Sequence, residues 1–334
     1  MSHKQERGTS KAVVIGIICF VCAAAYVFFM FYVGQHKEQE KTATAARTNT
    51  PIHMGSFSTA IDYAPFLVAQ SKGWVQSELG VPTNQIEFTT FQTLPSINEA
   101  FAAGKLDVVV TSEIAAIIGR AAGIDIRITG LDATLTEGIV VRSAGPVQVL
   151  KDLKGKRVAV LSGSAMHFGL VKLLSGVGIK TSELSLINMV PPDAAAAFAS
   201  GQIDGWAVWP PWPEQQVVAK AGRFLPDAEA KVQSVVVMRQ GFIDQGTAAR
   251  AIMRAIARGK AWLAQNPSDG ISLIAQELKL PEDVVRLAWP KHNWGAELSP
   301  DITHDMQEKA SFLLSEKMIQ HAVSVADMVE PLSQ

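Results

Sequence analysis

A segment of twelve residues occurs twice in this chain, at residues 99–110 and again at residues 196–207. Both copies read Ala-Phe-Ala-x-Gly-x, followed by Leu or Ile and then Asp. A common helix ending would produce part of this pattern, but the upstream residues 80–88 also resemble residues 178–186 after a slip of one residue. Because the copies are 97 residues apart and number only two, they indicate two related α/β units rather than a solenoid.

Each copy predicts the same local structure, a helix that ends on glycine and leads into a buried strand. The helix ends just after Phe101 or Phe198, and Gly104 or Gly201 then supplies the left-handed conformation that closes a helix C-terminus. The sequence therefore predicts one βαβ corner that is used twice.

Short β-branched runs alternate with helical stretches over most of the chain, which predicts parallel sheets covered by helices on both faces. Beyond about Gly241 only helices are predicted, including a long one over residues 242–265. The predicted strands are residues 86–91, 106–111, 124–129, 157–161, 184–190 and 203–209. The predicted earlier helices are residues 65–79, 95–103, 112–122, 164–176 and 193–200.

The N-terminal part of the chain predicts a membrane anchor. Residues 12–33 carry no charge, and a helix of this length just spans a hydrocarbon core of roughly 30 Å. Basic side chains precede it, so the positive-inside rule places residues 1–11 in the cytoplasm and the remainder of the chain outside. The polar residues 34–50 predict a flexible tether.

Two alternatives to a retained anchor stay open. The alanines at residues 23–25 would suit cleavage of a signal peptide, although the mature protein would then begin with an aromatic segment. Lipidation at Cys19 or Cys22 is the other alternative, although neither cysteine follows a small residue.

Composition excludes several classes of function. The part beyond the tether contains no cysteine, so it has neither disulfides nor thiol nucleophiles, and the absence of a basic block argues against nucleic acid. The histidines are scattered without a metal-ligating pair, and no phosphate-binding or dinucleotide-binding glycine motif occurs. The sequence therefore predicts no metal, no cofactor and no enzymatic activity.

Three predicted corners lie where strands end and helices begin, which is where open parallel sheets bind ligands. Two of these corners are residues 111–113 and residues 208–210. The third, residues 162–167, is the strongest anion signal, because backbone N–H groups and the helix dipole attract negative charge there. Ser162 or Ser164 could instead act only as a helix N-cap.

Two tryptophans of the strand predicted at residues 203–209 have different expected roles. Trp206 lies in mid-strand, so we expect it in the core of a sheet that helices cover on both faces. Trp209 lies at the strand end, and we expect it to form a wall of the ligand cleft.

Several motifs together resemble a known family. They occur in a specific order at residues 65–74, 102–112, 150–160, 163–167, 191–198 and 203–211. On these motifs, the chain from about residue 52 resembles the sulfonate, taurine and nitrate solute-binding proteins of ABC importers. The resemblance implies a type II periplasmic-binding fold, with two lobes hinged around a ligand cleft. The predicted ligand-binding residues are Ser56, Phe57, Tyr63, Gln92, Thr111, Ser112, Glu113, Ser162, Gly163, Ser164, Ala165, His167 and Trp209.

We therefore predict an α/β fold of two parallel or mixed sheets with helices on both faces, preceded in the chain by one N-terminal transmembrane helix. Lobe 1 comprises residues 51–140 and 236–334, and lobe 2 comprises residues 141–235. The resemblance also implies that the lobes exchange strands near residues 138–142 and 235–239, which would form the hinge.

The residue after Trp209 departs from the family pattern. Many relatives have an aspartate there that can bind the amine of a ligand, whereas this chain has Pro210, which argues against taurine itself. Glu113, Glu137 or Glu214 could supply a carboxylate instead, although exposed surface charge is the expected role of each.

The expected function is capture of a small anionic solute outside the cytoplasmic membrane by a single-pass, membrane-anchored subunit. Its expected partners are the permease and the ATPase of an ABC importer. Two alternatives stay open: a binding protein for a pyrimidine or thiamine precursor, and a ligand-sensing module that signals through a membrane partner. A desulfinase that uses cysteine, another activity found on this fold, does not fit a chain without extracytoplasmic cysteine.

Overall fold

The computed structural model describes residues 51–57, 59–82 and 85–332. The predicted cytoplasmic tail, membrane anchor and tether all lie outside the described residues. Within the part of the chain that is described, no helix is both long and apolar enough to cross a membrane.

The first part of the described chain forms a parallel unit of three strands with helices between them. Its elements are β1 (Ile52–Phe57), α1 (Ala64–Ser71), α2 (Trp74–Leu79), β2 (Ile86–Phe91), α3 (Leu94–Ala102), β3 (Val108–Ser112) and α4 (Glu113–Ala121). β1 lies in the middle and pairs with β2 on one side and with β3 on the other. The helix predicted at residues 65–79 is divided into α1 and α2, because Gly73 has a left-handed φ of 68°.

A second parallel unit repeats this arrangement. Its elements are β5 (Arg157–Val160), α5 (Ala165–Gly176), β6 (Ser185–Asn188), α6 (Pro191–Ala199), β7 (Gly205–Val208) and α7 (Trp212–Val218). β5 is again central, with β6 on one side and β7 on the other. The two units therefore share strand number, direction and order.

The helix that precedes the third strand of each unit, α3 or α6, ends in the same way. Gly104 and Gly201 have positive φ angles of 68° and 75°. The next backbone N–H, that of Lys105 or Gln202, donates to a carbonyl five residues earlier at 2.8 Å in both units. These are the glycine-dependent helix ends that the repeated sequence predicts.

The aspartate of the repeat also has the same role in both units. The Oδ2 atom of Asp107 accepts a hydrogen bond from the backbone N–H of His53 at 3.0 Å. In the second unit, Oδ2 of Asp204 accepts from the backbone N–H of Arg157, also at 3.0 Å. Each aspartate therefore ties the start of the third strand to the central strand, and the duplication predicted from the sequence is present in the fold.

Two long antiparallel strands join the units into one sheet. β4 (Ile126–Arg142) and β8 (Gly222–Arg239) pair with each other, while β8 also pairs with β3 and β4 also pairs with β7. The order is β2-β1-β3-β8-β4-β7-β5-β6, and the short β9 (His292–Asn293) adds to β4. The prediction of two sheets is corrected to one mixed sheet, because each long strand is hydrogen-bonded to both its partner and one parallel unit.

The two segments predicted for the strand exchange do not face each other. Gly138 lies opposite Glu229, whereas residues 235–239 pair with residues 126–131. The strand predicted at residues 124–129 is therefore only the first part of β4.

The core lies on both faces of this sheet. In β3, Val108 and Val110 belong to one hydrophobic cluster and Val109 to another, and each is at most 1% exposed. In β5, Ala159 and Val160 likewise belong to different clusters. Continuous apolar strands of this kind are typical of parallel strands that helices cover on both sides.

The C-terminal part is helical, as predicted, except for the short strand β9, which pairs with β4. Its helices are α8 (Gln240–Ile243), α9 (Thr247–Gln265), α10 (Pro267–Leu278), α11 (Glu282–Ala288) and α12 (Pro300–Ser315). The helix predicted at residues 242–265 is interrupted at Gly246, which has a φ of 74°. Helix α9 crosses α1 so closely that a Cβ atom on Gly259 would lie 2.0 Å from the carbonyl oxygen of Pro65.

We expect Gly259→Ala to lower the free energy of unfolding, because the added methyl group collides with backbone; overpacking costs about 1–3 kcal/mol or more. Gly176→Ala is the matched control, since it also lies in a helix but its Cβ would meet no atom within 4 Å. In urea unfolding this control should be neutral, or more stable by up to about 1 kcal/mol. Equal stability of the two variants would contradict the close contact of α9 with α1.

Candidate ligand-binding site

A small cavity of about 40 Å³ opens where the C-terminal ends of parallel strands from both units meet. The first unit contributes the residues that follow β1 and β3, and the second contributes those that follow β5 and β7. The long strand β4 adds a carboxyl group. The lining residues are Phe57, Ala60, Asp62, Thr111, Ser112, Glu137, Ser164, Ala165 and Trp209.

The structure brings together about half of the residues predicted for ligand binding. Those that line the cavity are Phe57, Thr111, Ser112, Ser164, Ala165 and Trp209. All of them lie at a strand end or a helix start, which is where the duplicated βαβ corners place them.

Other predicted residues lie outside the cavity. Ser56 is only 1% exposed, because alternation along β1 turns it to the opposite face from Phe57. Tyr63 lines a separate groove with Leu67, and Gln92 is exposed.

In the turn before α5, three predicted residues serve the turn itself. The backbone N–H of Ser162 donates to Oδ1 of Asn188 at 2.8 Å, and the N–H of Gly163 donates to Nδ1 of His167 at 3.1 Å. Burial lowers the pKa of His167, in keeping with a neutral ring whose Nδ1 accepts this hydrogen bond. These three residues therefore shape the corner without lining the cavity.

The predicted residue Glu113 is also outside the cavity lining. Its side chain is fully buried, and Oε1 accepts a hydrogen bond from Nζ of Lys309 at 2.7 Å. The same Nζ donates to the side chain of Gln233 at 2.7 Å and lies 2.9 Å from Asp305. Glu113 thus anchors the start of α4 to β8 and α12.

Two serine N-caps direct helix N-termini at the cavity. Ser112 caps α4 and accepts from the N–H of Ala115 at 3.3 Å, while Ser164 caps α5 and accepts from the N–H of His167 at 3.1 Å. A serine oxygen that accepts in this way keeps its own O–H free to donate to a ligand. Because both helix N-termini carry partial positive charge, this side of the cavity favours an anionic group.

Trp209 connects the two units at the cavity wall. Its ring lies 5.3 Å from that of Phe57 in an edge-to-face arrangement. Its Nε1 donates to the carbonyl of Thr59 at 3.2 Å, and the same carbonyl accepts from Nε1 of Trp212 at 3.1 Å. Trp206 is 1% exposed, so the prediction that it packs in the core is confirmed.

The expectation of surface charge for three glutamates is wrong. Glu113 and Glu214 have no exposed surface and Glu137 is 4% exposed. Glu214 forms an ion pair with Lys291 at 2.9 Å, whereas Oε2 of Glu137 has no hydrogen-bond partner. The glutamates are buried because α4, β4 and α7 all pack in the interior, a consequence of topology that their neighbours in sequence do not signal.

Sequence reasoning missed Asp62 and Ala60, and it named Glu137 only as one of three glutamates that could supply a carboxylate, of which Glu137 alone lines the cavity. Asp62 follows β1 in the chain, so its position after a strand end was a usable signal. Burial raises the pKa of Asp62 to about 6 and raises the pKa of Glu137 well above its usual range. The cavity therefore has two chemically different parts: the carboxyl groups of Asp62 and Glu137, and the helix N-termini with their partial positive charge.

Comparison with known proteins agrees with this geometry. Residues 60–270, more than half of the chain, match the NMT1/THI5-like family. The chain belongs to this family. A Bacillus subtilis protein whose assigned role is the binding of aliphatic sulfonates is 27% identical over 277 residues, which cover 80% of this chain and 82% of that protein. The taurine-binding periplasmic protein of Escherichia coli is 29% identical, over 67% of this chain and 68% of its own.

Solved structures share the fold of this NMT1/THI5-like chain. The alkanesulfonate-binding protein SsuA from Xanthomonas axonopodis, bound to MOPS, has a TM-score of 0.75 at 22% identity and covers 85% of this chain and 99% of its own. The desulfurization enzyme DszB has a TM-score of 0.60 at 17% identity, covering 84% of this chain and 96% of its own. The curated relatives named above are solute-binding proteins, although the fold also occurs in an enzyme.

We expect Asp62→Asn to stabilise the ligand-free protein at neutral pH but not at low pH. Since folding raises the pKa of Asp62 from 3.8 to about 6, the folded state holds the proton more tightly, and stability is lost as the pH rises from about 4 to about 6. The difference in free energy of unfolding should therefore grow in favour of Asn by about 2–3 kcal/mol between pH 4 and pH 7. Denaturant unfolding across this range measures it, and a difference independent of pH would contradict the burial of this carboxyl.

Proposed function

We propose that this chain is the extracytoplasmic solute-binding subunit of an ABC importer. Its ligand is a small anionic solute of the sulfonate, taurine or nitrate kind, and it binds in the cavity at the strand ends. The observation that carries this proposal is that the capped N-termini of α4 and α5, one from each unit, meet at one cavity. A ligand held by both helix N-termini bridges the units.

Bridging implies a mechanism of hinge closure. Lobe 1, residues 51–140 and 236–334, and lobe 2, residues 141–235, move about β4 and β8, because the chain passes between the units only through these strands and the segments beside them. A ligand that prefers the closed arrangement shifts the population toward it. The indole hydrogen bonds of Trp209 and Trp212 to Thr59 support this arrangement from the cavity wall.

Residues 12–33 would hold the binding unit at the outer face of the cytoplasmic membrane, with residues 34–50 as its tether. A tether raises the concentration of the binding unit near the permease and the ATPase with which it works. Capture without chemical conversion is the proposed activity, since no cysteine is present beyond the anchor to serve as a thiol nucleophile.

A heterocycle is the second candidate ligand. Phe57 and Trp209 both line the cavity, and their rings could pack against a flat pyrimidine or thiamine precursor. A ligand-sensing module that acts through a membrane partner is the third possibility, and it would need no transporter.

Thermal unfolding of the purified full chain with a panel of alkanesulfonates, taurine, nitrate, carboxylates and pyrimidines tests these functions. A ligand at about 100 times its dissociation constant should add about 2.7 kcal/mol of stability. Stabilisation by small anions supports the importer proposal, and stabilisation by heterocycles alone would favour the precursor importer. No stabilisation by any compound would contradict both and favour the sensing module.

We expect Ser164→Ala to weaken binding of the stabilising anion by about five- to tenfold, because one hydroxyl donor and the helix cap are both lost. Ser299→Ala is the matched control: Ser299 also caps a helix, accepting from the N–H of Ile302 at 3.3 Å, and does not line the cavity. Both variants should lose about 1 kcal/mol of stability. Isothermal titration should find weaker binding for Ser164→Ala alone; equal affinities would remove this corner from the site.

A further inference from the structure

The acidic side of the cavity has an unmet requirement for positive charge. Glu137 is 4% exposed, lines the cavity, and has one carboxyl oxygen without a hydrogen-bond partner. Asp62 lines the same cavity. Within the described ranges, neither carboxyl forms an ion pair, although Glu113 and Glu214 each pair with a lysine. Asp132 is also buried without an ion pair, but Glu137 and Asp62 are the acidic residues that line the cavity.

Lys309, the lysine whose charge acts on Glu137, cannot meet this requirement. Nζ of Lys309 donates to Glu113, Gln233 and the carbonyl of Lys231, and it also lies 2.9 Å from Asp305. An ammonium group has three N–H donors, so four acceptors already exceed what Lys309 can supply.

Lys260 and Lys291 are engaged elsewhere. Nζ of Lys260 donates to the carbonyl of Ala296 at 2.7 Å, and Nζ of Lys291 donates to Glu214 at 2.9 Å. A buried carboxyl without a partner is costly, and charged groups are buried in proteins where a partner compensates them. The missing partner can therefore come from the ligand.

We propose that Glu137 and Asp62 form a subsite for an ammonium group, so that the solute is a small zwitterion rather than a simple anion. This inference rests on the proposed function and deepens it. The free hydroxyls of Ser112 and Ser164 and the helix N-termini bind the acidic group, and the carboxyl groups accept hydrogen bonds from the amine. One compact ligand thereby satisfies both sides of the cavity.

Matched ligand pairs test the subsite on the full chain. 2-Aminoethanesulfonate (taurine) is compared with ethanesulfonate, and β-alanine with propionate, since the members of each pair differ only in the amine. Titration calorimetry should find the amine-bearing member of the better pair bound at least about tenfold more tightly, as a charge-assisted hydrogen bond in a buried site predicts.

Glu137→Gln should abolish this preference, so that the two members of each pair bind with affinities within about threefold of each other. Glu214→Gln is the matched control, because Glu214 is equally buried but is paired with Lys291 and does not line the cavity. It should keep the preference even if it is less stable. Asp62→Asn provides a second variant in which the preference should fall, should Glu137→Gln not fold.

The outcomes separate this inference from the proposed function. Tight binding of ethanesulfonate without preference for taurine would overturn the ammonium subsite and leave the importer of small anions standing. Binding of β-alanine alone, lost in Glu137→Gln, would support the subsite and contradict the sulfonate class. Retention of the preference in both Glu137→Gln and Asp62→Asn would overturn the assignment of these residues. Binding of no compound in either pair would overturn the ammonium subsite, whereas the importer proposal would fall only if nitrate and the other anions also failed to bind.

Discussion

The pairing of β4 with β8 is the constraint on which the rest of the structure depends. These strands form the centre of the sheet, and each is hydrogen-bonded on its other side to one parallel unit. Backbone groups in a buried sheet must stay paired. The hydrogen bonds between β4 and β8 therefore fix the position of one unit relative to the other. The same pairing brings the strand ends of both units to a single cavity, to which β4 itself contributes Glu137.

Bringing two units together at such strands buries carboxyl groups, and the molecule compensates them unequally. Glu113 and Glu214 are each held by a lysine at 2.7 and 2.9 Å. Asp62 and Glu137, which face the cavity, have no such partner within the described residues. Asp132 is also buried without an ion pair among the described residues, but it does not line the cavity. A missing partner combined with a position at the cavity is what fits a ligand that carries a positive charge.

Much of the fold could be predicted because local rules and the duplicated sequence agree. Gly104 and Gly201 end their helices as predicted. Asp107 and Asp204 then make the same contact with the central strand of their unit. Both features depend on a few neighbouring residues, so the repeated sequence reproduces them in both units. The corners at Ser112, Ser164 and Trp209 were predictable for the same reason, since the sequence pattern shows where a strand ends and the next helix begins.

The sequence by itself determined the α/β class, the duplicated unit and the residues at the strand ends that line the cavity. Only the tertiary structure decided that one mixed sheet joins the units, that His167 serves its own turn, and that Glu137 lies buried against a cavity with Asp62. The physical reason is the range of the interactions involved. Helix caps and strand alternation act within a few residues, whereas the burial and pairing of a carboxyl depend on groups such as Lys309, 196 residues from Glu113 in the chain.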